Sequence, residues 1–154
     1  MPSNQNIEPL YRTNVILWVA FLMSQFIFLV LIFFAKKELF NFDFTQPILS
    51  KKPIAVLVIG MIALFNFALS IYMKSQMTQE AIDAQKPAGV QSAQILAYAL
   101  CESISIFSIV LAFMFDYAYF FVFFGLAILG IILHFPKRDN FIAAAYKNNL
   151  ENLK

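Results

Sequence analysis

Glu102 is the residue of this sequence best placed to do chemistry. It stands about nine residues into an apolar stretch, residues 93–115, that contains no Lys or Arg. In a bilayer-spanning helix rising 1.5 Å per residue, that position is close to the membrane centre. An ionised carboxylate there costs at least about 2.5 kcal/mol, so the group should face protein and be paired, or be protonated. Desolvation favours the neutral acid, which can release and regain a proton as its surroundings change.

Depth matching supplies neighbours. Gln25 is about eleven residues into the apolar stretch 15–35, and Asn66 is about eight residues before the stretch 54–73 ends. With Ser24, Ser103 and Ser105, these put amides and hydroxyls at the level of Glu102. One carboxyl among such groups can hold a proton, or coordinate a small hard cation such as Na⁺ through oxygens. The expected ion-binding set is Glu102, Ser103, Gln25 and Asn66. Taken singly, Gln25 and Asn66 read as interhelical packing bonds worth about 0.6 kcal/mol each. If they are the carboxyl's partners, Glu102→Ala leaves an amide unpaired at a cost of about 1–3 kcal/mol.

These side chains need helices to carry them. A span requires about 20 apolar residues to cross a hydrocarbon core of about 30 Å, and four stretches qualify: 15–35, 54–73, 93–115 and 117–135. Helices satisfy their own backbone in lipid, so the expected fold is all-α, a polytopic membrane protein with four transmembrane helices. The composition agrees. The 154 residues are 61% hydrophobic and 13% charged, where a soluble domain of this length keeps roughly a quarter charged. A net charge of +2 gives no reason to expect a nucleic-acid partner.

The whole chain, 1–154, reads as a single membrane domain. The first stretch is too long for a signal-peptide core and lacks an A-x-A site, so it reads as a retained helix. The first connection is bracketed by Lys36-Lys37 and Lys51-Lys52, with an interfacial middle at residues 39–44. Residues 74–92 form the polar second connection, turning at Lys86-Pro87-Ala88-Gly89. Asp116 alone separates the last two spans. Residues 139–154 read as a short amphipathic tail helix with Ile142, Tyr146, Leu150 and Leu153 on one face, lying on the membrane or against a neighbour. Seven Lys and Arg on the side of both termini, against four on the other, favour cytoplasmic termini. An inner-membrane location in a bacterium is the expected one.

The third span carries a stripe of small residues, Ala97, Cys101, Ser105, Ser108 and Ala112, which admits a close helix neighbour. The Phe residues of the first and fourth spans are expected to face lipid or another subunit, and His134 to be an ordinary interfacial histidine. Cys101 is the single cysteine and leaves the redox compartment unread. No phosphate-binding Gly-rich loop, no Cys/His metal spacing and no Ser–His arrangement is present. No catalytic residue, metal ligand or organic cofactor is therefore expected, and the chain does not read as an enzyme.

The third span also resembles a known family. Residues 95–113 are similar to the carboxylate-bearing helix of the ATP synthase c subunit, the rotary-ring proteolipid, which reads A-L-x-E-A/S-x-x-I-Y/F-G-x-V-x-A. Ala99, Leu100, Glu102, Ser103, Ile106, Phe107, Val110 and Ala112 match, with Ser108 in place of the glycine. Upstream, Ala84-Gln85-Lys86-Pro87-Ala88 looks like the family's polar loop, and the resemblance covers residues 53–115. It implies a homo-oligomer, a ring, in which Glu102 binds a proton or a sodium ion. The family's other helix is built on glycine repeats, whereas the span 54–73 has only Gly60 among bulky residues, so a wider ring or another oligomer is expected. Trp18 to Ile27 also aligns with Ile95 to Ile104 at an offset of 77, setting Gln25 opposite Glu102. The partners so implied are membrane lipids, copies of the chain and other membrane subunits. The alternative reading is a structural or scaffolding membrane ring without ion transport.

Overall fold

The computed structural model describes residues 7–41 and 53–151. Five helices follow one another: α1 (Ile7–Ala35), α2 (Pro53–Asp83), α3 (Pro87–Phe115), α4 (Phe120–Leu133) and α5 (Arg138–Glu151), with a 3₁₀ turn at Lys37–Asn41 after α1. No strand occurs among the described residues. Residues 42–44, Lys51 and Lys52 lie outside them, as do Leu153 and the side chains of Tyr146 and Leu150.

Among the described residues, three helices are long and apolar enough to cross a membrane: α1, α2 and α3. At 29 to 31 residues and 1.5 Å per residue they run about 44 Å or more, overhanging a hydrocarbon core of about 30 Å. The second connection is correspondingly shorter than its polarity suggests. Residues 74–83 continue α2 and residues 87–92 begin α3, leaving a turn of residues 84–86. Gln85 takes φ 54° there, and Pro87 starts α3, where its missing N–H costs nothing. The hairpin is tight enough that a Cβ on Gly89 would meet Ala81 Cβ at 2.8 Å. Polarity marked the membrane edge and was silent on where the helix ends.

The fourth span is also corrected. Residues 117–119 remain in the turn after α3, and α4 has 14 residues, about 21 Å, short of a full crossing. After Pro136, which cannot donate a backbone hydrogen bond, the chain bends by 46° into α5. The bent pair qualifies as a fourth crossing only if taken together. The tail helix is bound to its own chain. Phe141 and Ala144 are buried with Ala81 and Val90, and Ile142 points outward. Tyr11 meets Phe141 edge-on at 6.2 Å, and Arg138 Nη2 donates to Glu8 Oε2 at 3.2 Å.

The apolar window of α3 is 44% buried, against 17% for α2 and 11% for α1, so α3 is the axis of the bundle. The small-residue stripe explains this. Ala97, Cys101, Ser105, Ser108 and Ala112 are all fully buried inside the chain. Gly130 of α4 comes so close that a Cβ on it would meet Cys101 Sγ at 2.6 Å, and Ser108 Oγ donates to the Phe120 carbonyl at 2.6 Å. The stripe is consumed by the chain's own helices, α4 at Cys101 and Ser108 and α1 at Ser105, and gives no argument for a neighbouring subunit. The phenylalanines divide too: Phe26 and Phe34 of α1 are exposed, whereas Phe120 and Phe124 of α4 are core. Lys36 pairs with Asp116, tying the end of α1 to the α3–α4 turn, where Asp116 sits in the left-handed region at φ 47°.

Candidate functional site

Glu102 is the sixteenth residue of the 29-residue α3, one past its midpoint. Its neighbours are set by how α1 and α2 flank that helix. Contacts rise together along α1 and α3, from Phe21–Tyr98 through Ser24–Glu102 to Gln25–Ser105, so the two run parallel. Along α2 and α3 they run oppositely, from Ala81–Gly89 to Asn66–Ser103. Glu102 and Ser103 are about 100° apart around α3 and address different flanks.

On the α1 flank, Ser24 Oγ lies 2.8 Å from Glu102 Oε1 and 2.8 Å from its own Phe21 carbonyl. Gln25 Nε2 donates to Ser24 Oγ at 3.2 Å, and Ser105 Oγ donates to Gln25 Oε1. On the α2 flank, Asn66 Nδ2 donates to Ser103 Oγ at 2.8 Å, and Ser103 donates to the Leu100 carbonyl at 2.7 Å. Of the four residues expected to act together, Glu102 and Gln25 are joined through Ser24, while Asn66 and Ser103 form a separate pair. Neither amide touches the carboxyl. Its partner is the hydroxyl of Ser24.

A serine hydroxyl has one hydrogen, and here two acceptors lie at 2.8 Å. If that hydrogen is on the Phe21 carbonyl, the short contact to Glu102 requires a proton on the carboxyl, donated to Ser24 Oγ. If the carboxylate is ionised, the hydroxyl turns to it, and the Phe21 carbonyl keeps its helical bond. Rotation about one C–O bond therefore serves both protonation states. Glu102 makes no ion pair among the described residues.

The carboxyl is half-buried. It sits between Ala99 and Ile106, both exposed, on a strip of α3 that continues to Ile95 and Phe113. Here α1 and α2 stand on either side of α3 and scarcely meet, so this strip is the floor of an open cleft.

A second polar cluster lies behind α3. His134 is 3% exposed, and its Nε2 is 2.9 Å from Ser70 Oγ; Cys101 Sγ lies 3.6 Å from the same oxygen. Tyr98 OH donates to the His134 carbonyl at 3.3 Å. Ser70 already donates to the Phe67 carbonyl at 2.7 Å, which assigns the Nε2 proton to the histidine. The expected interfacial histidine is thus a core residue, drawn inward because α4 ends there and packs against α2 and α3. Asn14 and Gln94 are also fully buried, one three turns below Gln25 and the other three turns below Ser105, and their side-chain amides have no partner. Their shared offset of 80 with the Gln25–Ser105 pair is the one sequence signal that could have matched them.

Among the described residues, no group of three His, Cys, Asp or Glu side chains could hold a metal ion. Comparison with family models, curated proteins and solved structures finds no match.

Proposed function

We propose that this chain is an integral membrane protein that assembles as a homo-oligomer and binds a proton reversibly at Glu102. The observation that carries this reading is the Ser24 hydroxyl, held 2.8 Å from a carboxyl at mid-length of the central helix, with no ion-pair partner among the described residues. Such a carboxyl, placed in hydrocarbon, is by default a candidate functional site. Charge on the side chain rises and falls while its one hydrogen-bond partner rotates to suit. Sodium is less well served, because Gln25, Asn66 and Ser103 are already paired with Ser105 and with each other.

The α2–α3 hairpin, closed by a three-residue turn and bearing the carboxyl halfway along its second helix, supports kinship with rotary-ring proteolipids. The open cleft over Glu102 and the exposed apolar faces of α1 and α2 support contact with further copies. The charge balance favours cytoplasmic termini and, with them, α5 on that side. A scaffolding role has one observation in its favour: Ser24–Glu102 joins two helices of one chain, as a packing bond would.

Labelling with a hydrophobic carbodiimide separates the two, since only a protonated, membrane-accessible carboxyl reacts selectively. In native membranes at neutral pH we expect Glu102 to be modified, labelling to fall as pH rises, and Na⁺ to give no protection. A Glu102 that stays unlabelled across the pH range would leave the packing role alone standing.

A further inference from the structure

A cavity of about 500 Å³ opens between α2, α4 and the start of α5, on the end of the bundle opposite the Lys36–Asp116 pair. Its charge is one-sided. Lys74 and Lys137 both line it, no acidic side chain does, and neither lysine has a carboxylate partner among the described residues. Two ammonium groups sharing a recess repel each other unless an anion lies between them.

The rim is of the opposite character. Ile71 and Leu133 line the cavity while remaining about half exposed, on the apolar parts of α2 and α4. Lys74 and Lys137 stand just beyond those apolar stretches, where a bilayer's headgroups would lie.

We propose that this cavity binds the phosphate of an anionic phospholipid, with its acyl chains running over Ile71 and Leu133. The two lysines supply the charge, and the apolar rim favours a lipid over a free anion. This site is separate from Glu102 and does not depend on the proton reading.

The test is native mass measurement of the full chain in mild detergent, with lipid added. Phosphatidylglycerol should stay bound where phosphatidylcholine does not. Lys74→Gln and Lys137→Gln should each weaken retention about fivefold. Lys86→Gln, an exposed lysine outside the cavity, removes the same charge and should retain lipid as the parent does. Should the lysine variants fail to fold, the comparison of the two lipids on the parent chain decides alone. Glycerol 3-phosphate, which has the phosphate without acyl chains, should not displace the lipid in excess. Equal retention of both lipids, or unchanged retention in the lysine variants, overturns the proposal. Displacement by glycerol 3-phosphate overturns its lipid part in favour of a free anion.

Discussion

At the scale of single residues, the structure replaces one expected partner with another. Gln25 and Asn66 share the depth of Glu102, yet the carboxyl meets Ser24. Depth is legible in a sequence because hydropathy marks where a span begins and each residue adds 1.5 Å. Rotation is not legible in the same way: neighbouring residues differ by about 100°, and nearly uniform apolar helices carry no face to fix the angle. The consequence for substitutions is concrete. Glu102→Ala leaves Ser24 its Phe21 carbonyl, so no amide is orphaned, and the cost should be that of one hydrogen bond, about 0.5–1.5 kcal/mol. Gln25→Leu strips the partner from the buried Ser105 hydroxyl and should cost about 1–3 kcal/mol. Thermal unfolding in one detergent checks the order. Glu102→Ala proving the more damaging would mean that the carboxyl has a structural role beyond Ser24.

At the scale of helices, the first three spans were legible because each is a long apolar run. The fourth was half legible: α4 is apolar throughout, but its length is set by the turn at residues 117–119 and by Pro136. The small-residue stripe lies buried within the chain, and its occupants, α4 and, at Ser105, α1, could not be read from α3 alone. Gly130 and Gly125 sharpen the point, since both lie in α4 and only one is pressed against a neighbour. A methyl on Gly130 would collide with Cys101 and crowd Phe67, whereas one on Gly125 would meet nothing within 4 Å. Gly130→Ala should therefore destabilise by about 1–3 kcal/mol through overpacking. Gly125→Ala should be neutral or stabilising by up to about 1 kcal/mol, the helix-propensity gain. Equal effects in thermal unfolding would mean that α4 does not pack here as described.

At the scale of the whole molecule, polar groups are graded along the bundle. One end is an apolar core of Ile32, Leu111, Phe120 and Phe124, the middle holds the Ser24–Glu102 and Ser70–His134 clusters, and the other end is closed by α5. The open cleft between α1 and α2 leaves the central carboxyl at the edge of the protein, where lipid or another copy can reach it. That position suits a group that changes protonation state, and it would be costly for one that stayed ionised. The most direct measurement is infrared spectroscopy of the protein in native-like membranes at neutral pH, comparing the parent with Glu102→Gln. The expected result is a protonated-carboxyl carbonyl band in the parent that is missing from Glu102→Gln. If the two spectra are identical in that region, or if the substitution removes only a carboxylate band, Glu102 is not holding a proton and the proposed function is wrong.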